Sequence, residues 1–124
     1  MNPTAKSLVI KAQDCINTAN QFITDPSQHD AAGYNLAQAT EFFLKALLSE
    51  KNLGFPDGAQ SHDLDALMEI LEENNLAAIS SHADLVDLTS YNSPTAQVRR
   101  SERLDLKEYL TKVEDLKNLV GSFF

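Results

Sequence analysis

The chain has a single cysteine, Cys15, so an internal disulfide is excluded. The fold must rest on a hydrophobic core, and a 43 % apolar fraction in 124 residues supplies one. A chain of this size buries roughly two-thirds of the surface its unfolded form exposes, so it needs no metal or disulfide staple. Cys15 itself reads as a small apolar side chain on a helix. Glycine is scarce and scattered, at Gly33, Gly54, Gly58 and Gly121, so no glycine-rich loop can cradle a phosphate. His29, His62 and His82 lie far apart, and no zinc-ligand spacing arises from them. No apolar run approaches the ~20 residues that span a bilayer. Leu8-Val9-Ile10 lies between Lys6 and Lys11 and is too short for the apolar part of a signal peptide. The expectation is a cytoplasmic protein with no cofactor, no bound metal and no membrane contact.

A basic surplus is lacking too. The net charge is -8, which favours solubility and gives no general attraction for DNA or RNA. RNA is therefore an unfavoured partner. Charge is unevenly spread. Residues 52–98 contain eight acids and no Lys or Arg, and then Arg99, Arg100 and Arg103 fall together. A guanidinium fork suits a phosphate or a carboxylate. The plainer account is a solvated helix end or loop that balances acidic neighbours.

Helical periodicity dominates what is present. Asn2-Pro3 starts a helix, and Leu8, Ala12, Cys15, Ile16, Ala19, Phe22 and Ile23 form its apolar stripe. Asp25-Pro26 ends it and opens a second helix over about residues 26–53, with Gly54 as its C-cap. This second helix is apolar on two faces: Tyr34, Ala37, Leu44 and Leu48 on one, Leu36, Phe43 and Leu47 on the other. Such a helix is central in its bundle, shared with another subunit, or both. We expect both, with the second face forming a homodimer contact.

Turn chemistry marks residues 54–60, after which Ser61 reads as the N-cap of a third helix carrying Leu64, Leu67, Met68 and Leu71. Asn74-Asn75 breaks it. A fourth, shorter helix covers about residues 76–89, with Ile79, Ala83 and Val86 inward, and Leu85 and Leu88 as further candidates. Tyr91-Asn92-Ser93-Pro94 is a turn. The last helix, about residues 104–120, keeps its period through Leu106, Tyr109, Leu110, Val113, Leu116 and Val120, with Glu108 and Lys112 paired on its wet side. No stretch alternates as a strand does. The fold class is therefore all-α: one domain over residues 1–124, an up-and-down bundle of four to five helices.

On the second helix Gln38, Glu41 and Lys45 share a side. Polar groups within an apolar helix need partners. Glu41 either pairs with Lys45 at the surface, or lies inside and orients a group such as His62 or Arg99. Ser61-His62-Asp63 is no catalytic triad, because triads assemble in space from separated residues.

Residues 31–48 contain Gln38-Ala39-Thr40-Glu41-Phe42-Phe43-Leu44-Lys45-Ala46-Leu47, followed after a loop by Ser61-His62-Asp63-Leu64. This resembles the HEPN family, whose second helix carries a Gln-Ala-x-Glu-x-x-x-Lys-Ala-Leu core and whose next motif is Thr-His-Asp-Leu. Tyr91 and Arg99 look like the family's later tyrosine and arginine. The resemblance spans about residues 5–120. It implies a helical bundle that commonly dimerises. It implies either a metal-independent ribonuclease using Arg, a short spacer and His, or a non-nuclease that binds nucleotides or partners a nucleotidyltransferase in toxin–antitoxin pairs.

The nuclease pattern is broken here. No histidine follows Arg99, Arg100 or Arg103, so the imidazole that would move the proton near neutral pH is missing from its place. We therefore expect a binding module, not an enzyme. Its expected ligand contacts are Gln38, Glu41, Lys45, His62, Tyr91, Arg99 and Arg100. The alternatives are a ribonuclease with a displaced His62 beside Arg99 or Arg100, and a purely structural dimer.

Overall fold

A computed structural model describes residues 2–93, 98–99 and 102–123. Four α-helices carry the fold: α1 (Pro3–Phe22), α2 (His29–Glu50), α3 (Leu64–Glu73) and α4 (Leu106–Gly121). Three 3-10 segments, Pro26–Gln28, Gly58–His62 and Ala77–Tyr91, complete the described helical elements, and no strand occurs among the described residues. The all-α bundle expected from periodicity is what forms.

The element boundaries follow from capping. Asn2 Oδ1 accepts from the Ala5 N–H at 2.7 Å and Pro3 occupies the first turn, so α1 starts where the sequence places it. α2 ends three residues earlier than expected, and its cap is Asn52, not Gly54. Asn52 takes a φ of 58°. Its N–H donates to the Ser49 carbonyl at 3.0 Å, and the Leu53 N–H donates to the Leu48 carbonyl at 2.9 Å. These are the two hydrogen bonds of a Schellman motif, which an asparagine can form because its backbone tolerates the left-handed region. α3 ends the same way. Asn75 has a φ of 70°, and the Leu76 N–H donates to the Leu71 carbonyl at 3.0 Å. The N-cap of α3 is Asp63, not Ser61. Asp63 Oδ1 accepts from the N–H groups of Asp65 and Ala66, while Ser61 Oγ donates to the Gly58 carbonyl. A carboxylate outcompetes a hydroxyl at the positive end of a helix.

The segment expected as a fourth α-helix is instead a 3-10 helix, Ala77–Tyr91. Its buried positions show why. Leu76, Ile79, Leu85, Leu88 and Tyr91 are buried and His82 is half-buried, a repeat of three residues. That is the 3-10 period, not 3.6. Ala83, expected inside on the longer period, is exposed, and Val86 is half-buried.

α2 is the spine. It packs against α1, α3, the Ala77–Tyr91 segment and α4, and none of residues 31–50 is exposed. Both apolar faces are covered inside one chain: Leu36, Phe43, Leu44 and Leu48 are 0 % exposed. The second face is therefore not free to form the homodimer contact expected of it. Burying each such Leu or Phe contributes roughly 1.5–3 kcal/mol. Among the described residues no helix is long and apolar enough to cross a membrane.

Gly33 on α2 is a packing requirement. A Cβ there would lie 2.6 Å from Tyr91 Cγ, well inside contact distance. The Tyr91 ring, fully buried, occupies the space a side chain would take.

Candidate ligand-binding site

Glu41 is the one buried acid among the described residues, 2 % exposed near the middle of α2. Its two oxygens are divided. Oε2 accepts from Lys45 Nζ at 3.2 Å, one turn along the same helix. Oε1 accepts from His62 Nδ1 at 3.0 Å, at the end of the Gly58–His62 segment. The two sequence alternatives for Glu41 thus hold together: it pairs with Lys45 and it orients His62. The carboxylate has only acceptor capacity for the ring, so the His62 proton sits on Nδ1 and Nε2 faces away from Glu41. The His62 side chain is 64 % exposed, against 12 % for Lys45. An ammonium has three donors and Glu41 takes one.

Gln38 fixes the rim. Its Nε2 donates to Asn92 Oδ1 at 2.6 Å, and Asn92 Nδ2 donates to the His62 carbonyl at 2.7 Å. Five polar residues from three chain segments are tied into one network: Lys45, Glu41, His62, Asn92 and Gln38. Asn92 was missed by the sequence reading. Its only signal was its place after Tyr91 in a turn. Phe55, also unassigned, stands beside the cluster with Lys45 Nζ 5.8 Å from its ring centroid.

Tyr91 does not line this surface. It is 0 % exposed, and its hydroxyl bolts α2 to the start of α4. The Leu104 N–H donates to Tyr91 Oη at 3.0 Å, and Tyr91 Oη shares a second hydrogen bond with His29 Nε2 at 2.7 Å. Tyr91 belongs to the core behind the site. Arg99 is exposed, and among the described residues its side chain enters no hydrogen bond or ion pair. Arg100 lies outside the described residues. Arg103 stands elsewhere, in a cleft of about 350 Å³ that it lines with His29 and Lys107. A second cleft, about 310 Å³, is lined by His82, Asp84, Lys112 and Asp115. Neither cleft includes Glu41, Lys45 or His62.

Two histidines have environments that resist protonation. Burial, then Arg103, holds His29 below its ordinary value, and burial holds His82 below its own. The unfolded chain therefore binds protons first as pH falls. Stability is fullest above about 6.5 and declines as pH drops below it. Urea unfolding at pH 7.5 and 5.5 checks this. The double variant His29→Asn/His82→Asn should lose less stability on acidification than the parent. An equal loss in both would remove the two histidines from the explanation. Burial, with Asp14 and Glu41 adding, raises the Cys15 thiol above its ordinary value, which keeps it protonated and unreactive. Among the described residues no group of acids, histidines and cysteine is placed to hold a metal.

The HEPN domain family model matches residues 5–122. No curated protein and no solved structure matches the chain significantly.

Proposed function

Because the chain belongs to the HEPN domain family, we propose that it is a non-nuclease binding module whose Glu41–Lys45–His62 surface receives a nucleotide or another phosphate-bearing ligand. The buried carboxylate carries this reading. A 2 % exposed Glu41 that fixes one ammonium and one imidazole is a costly arrangement for stability alone, since apolar residues of similar volume often serve as well. It sets an ammonium and an imidazole edge side by side at the boundary of solvent. Lys45 offers its remaining N–H groups, and His62 Nε2, turned away from Glu41, donates when the ring carries a second proton. A phosphate accepts from an ammonium and from an imidazolium. Gln38 and Asn92 hold the His62 backbone, so the pair is preorganised.

The same surface, in a homodimer or beside a nucleotidyltransferase in a toxin–antitoxin setting, is where a partner would meet the ligand. With both apolar faces of α2 covered, that contact would use the exposed rim around His62.

Calorimetry with AMP, GTP and ATP tests the proposal. Binding heat is expected for the parent protein, with affinity at least tenfold weaker in His62→Ala. No heat above background at millimolar nucleotide would overturn it.

A further inference from the structure

Among the described residues three large apolar side chains stand exposed, Ile10, Phe55 and Phe123, and Phe55 is the one beside the polar cluster. Phe55 lies in the loop between α2 and the Gly58–His62 segment, and it is 42 % exposed. Lys45 Nζ lies over its ring, 5.8 Å from the centroid. The same ammonium is bound by Glu41, which also holds His62. An exposed aromatic ring thus stands next to the Lys45 ammonium, which suits a phosphate and which Glu41 ties to His62. Covering the exposed part of this ring with a flat apolar surface would contribute favourable free energy to binding.

We propose that Phe55 is the base-stacking residue of this surface, so that the ligand class is a nucleotide and not a bare phosphate or sugar phosphate. The proposal rests on the phosphate-ligand reading of the Glu41 cluster. A nucleobase presents a flat face, as the phenyl ring does, and base–aromatic stacking is tolerant of base identity. The cation over the ring favours the side-chain position and draws the phosphate end toward Lys45 and His62. Phe55 would then set affinity for the base, and Lys45 with His62 would set affinity for the phosphate. Discrimination among bases by this ring should be weak, because every base has a π-face.

The experiment compares AMP with ribose 5-phosphate by calorimetry in the parent protein, Phe55→Ala and Phe55→Trp. Stacking is worth about 1–3 kcal/mol per base. Phe55→Ala should therefore weaken AMP binding by roughly 5- to 150-fold, by the tenfold-per-1.4 kcal/mol relation. Ribose 5-phosphate affinity should not change. The chain contains no tryptophan, so Phe55→Trp places a single fluorophore at the site. AMP should quench it, and ribose 5-phosphate should not. AMP binding that is equal in Phe55→Ala and the parent would overturn the stacking role while leaving the phosphate surface intact. Absence of binding by both ligands to the parent protein would overturn the phosphate reading and the stacking role together.

Discussion

Replacing Gly33 with alanine should destabilise the protein by about 3 kcal/mol, at the upper end of the cost of overpacking a core. At roughly 3–4 °C per kcal/mol for a chain of this length, the melting temperature should fall by about 10 °C. The cause is local. The added methyl would meet Tyr91 Cγ at 2.6 Å and Cε1 at 2.7 Å, and the ring has nowhere to go. Tyr91 is fully buried, and its hydroxyl is held by both Leu104 and His29. The ring is not a flexible tip that can swing aside. Tyr91→Phe tests the second half of this picture. It keeps the ring and strips the hydroxyl, leaving the Leu104 N–H and His29 Nε2 without their partner, so a smaller loss of about 1–3 kcal/mol is expected. Pairing Gly33→Ala with Tyr91→Leu should recover part of the first loss, since the clash and the ring disappear together. Additive losses in that double variant would mean that the ring is not what Gly33 accommodates. Thermal unfolding followed by circular dichroism measures all three.

Glu41→Leu should cost about 2–3 kcal/mol. Breaking a fully buried ion pair costs ~3–5 kcal/mol. The figure is lower here because Lys45 is 12 % exposed and His62 is 64 % exposed, so both can turn toward water. The double variant Glu41→Leu/Lys45→Met replaces the pair by apolar groups of similar size. It should regain most of the lost stability, because the desolvation penalty vanishes with the charges. It should not regain nucleotide binding, because the ammonium is gone and His62 has lost its anchor. Stability and binding thus separate. If the double variant binds AMP as well as the parent does, the pair serves only the fold.

Much of the architecture was legible in sequence because it rests on short-range rules. The proline after Asn2 and the 3.6-residue stripe of Leu8, Ala12, Ile16 and Ala19 fixed α1 before any contact was known. α2 was legible as a spine from its two apolar faces. What those faces touch was not legible. A pattern reports that a face is buried and says nothing of whether α1, α4 or a second subunit buries it, and here the chain covers both itself. The helix ends were misread where two rules compete. Gly54 looked like a C-cap by residue type, but Asn52 closes the motif through its own positive φ. Ser61 looked like an N-cap, but Asp63 lies two residues on with a stronger acceptor. The Ala77–Tyr91 segment was misread because, counted from Ile79, a period of 3.6 lands on Ala83 and Val86 where a period of 3.0 lands on His82 and Leu85, one residue apart each time in a stretch too short to separate them.

The polar cluster was half legible. Gln38, Glu41 and Lys45 on one side of α2 are a consequence of helical spacing, and His62 arrives because the loop after α2 returns past it. Tyr91 looked like a ligand contact because a polar tip on an aromatic ring serves a ligand and a core bolt equally well. Only the position of Gly33, fifty-eight residues earlier in the chain, decides for the bolt. Asn92 carries no sequence signal beyond a turn, since its role depends on two partners from distant segments.

The most direct test of the Glu41-centred surface follows the imidazole resonances of the three histidines by NMR while AMP is added. His62 should shift, and His29 and His82, which line other clefts, should stay in place. In Glu41→Gln the His62 response should shrink, because an amide holds Nδ1 less firmly than a carboxylate does. Saturating AMP that moves His29 or His82 and leaves His62 unmoved would contradict the assignment of this surface as the ligand site.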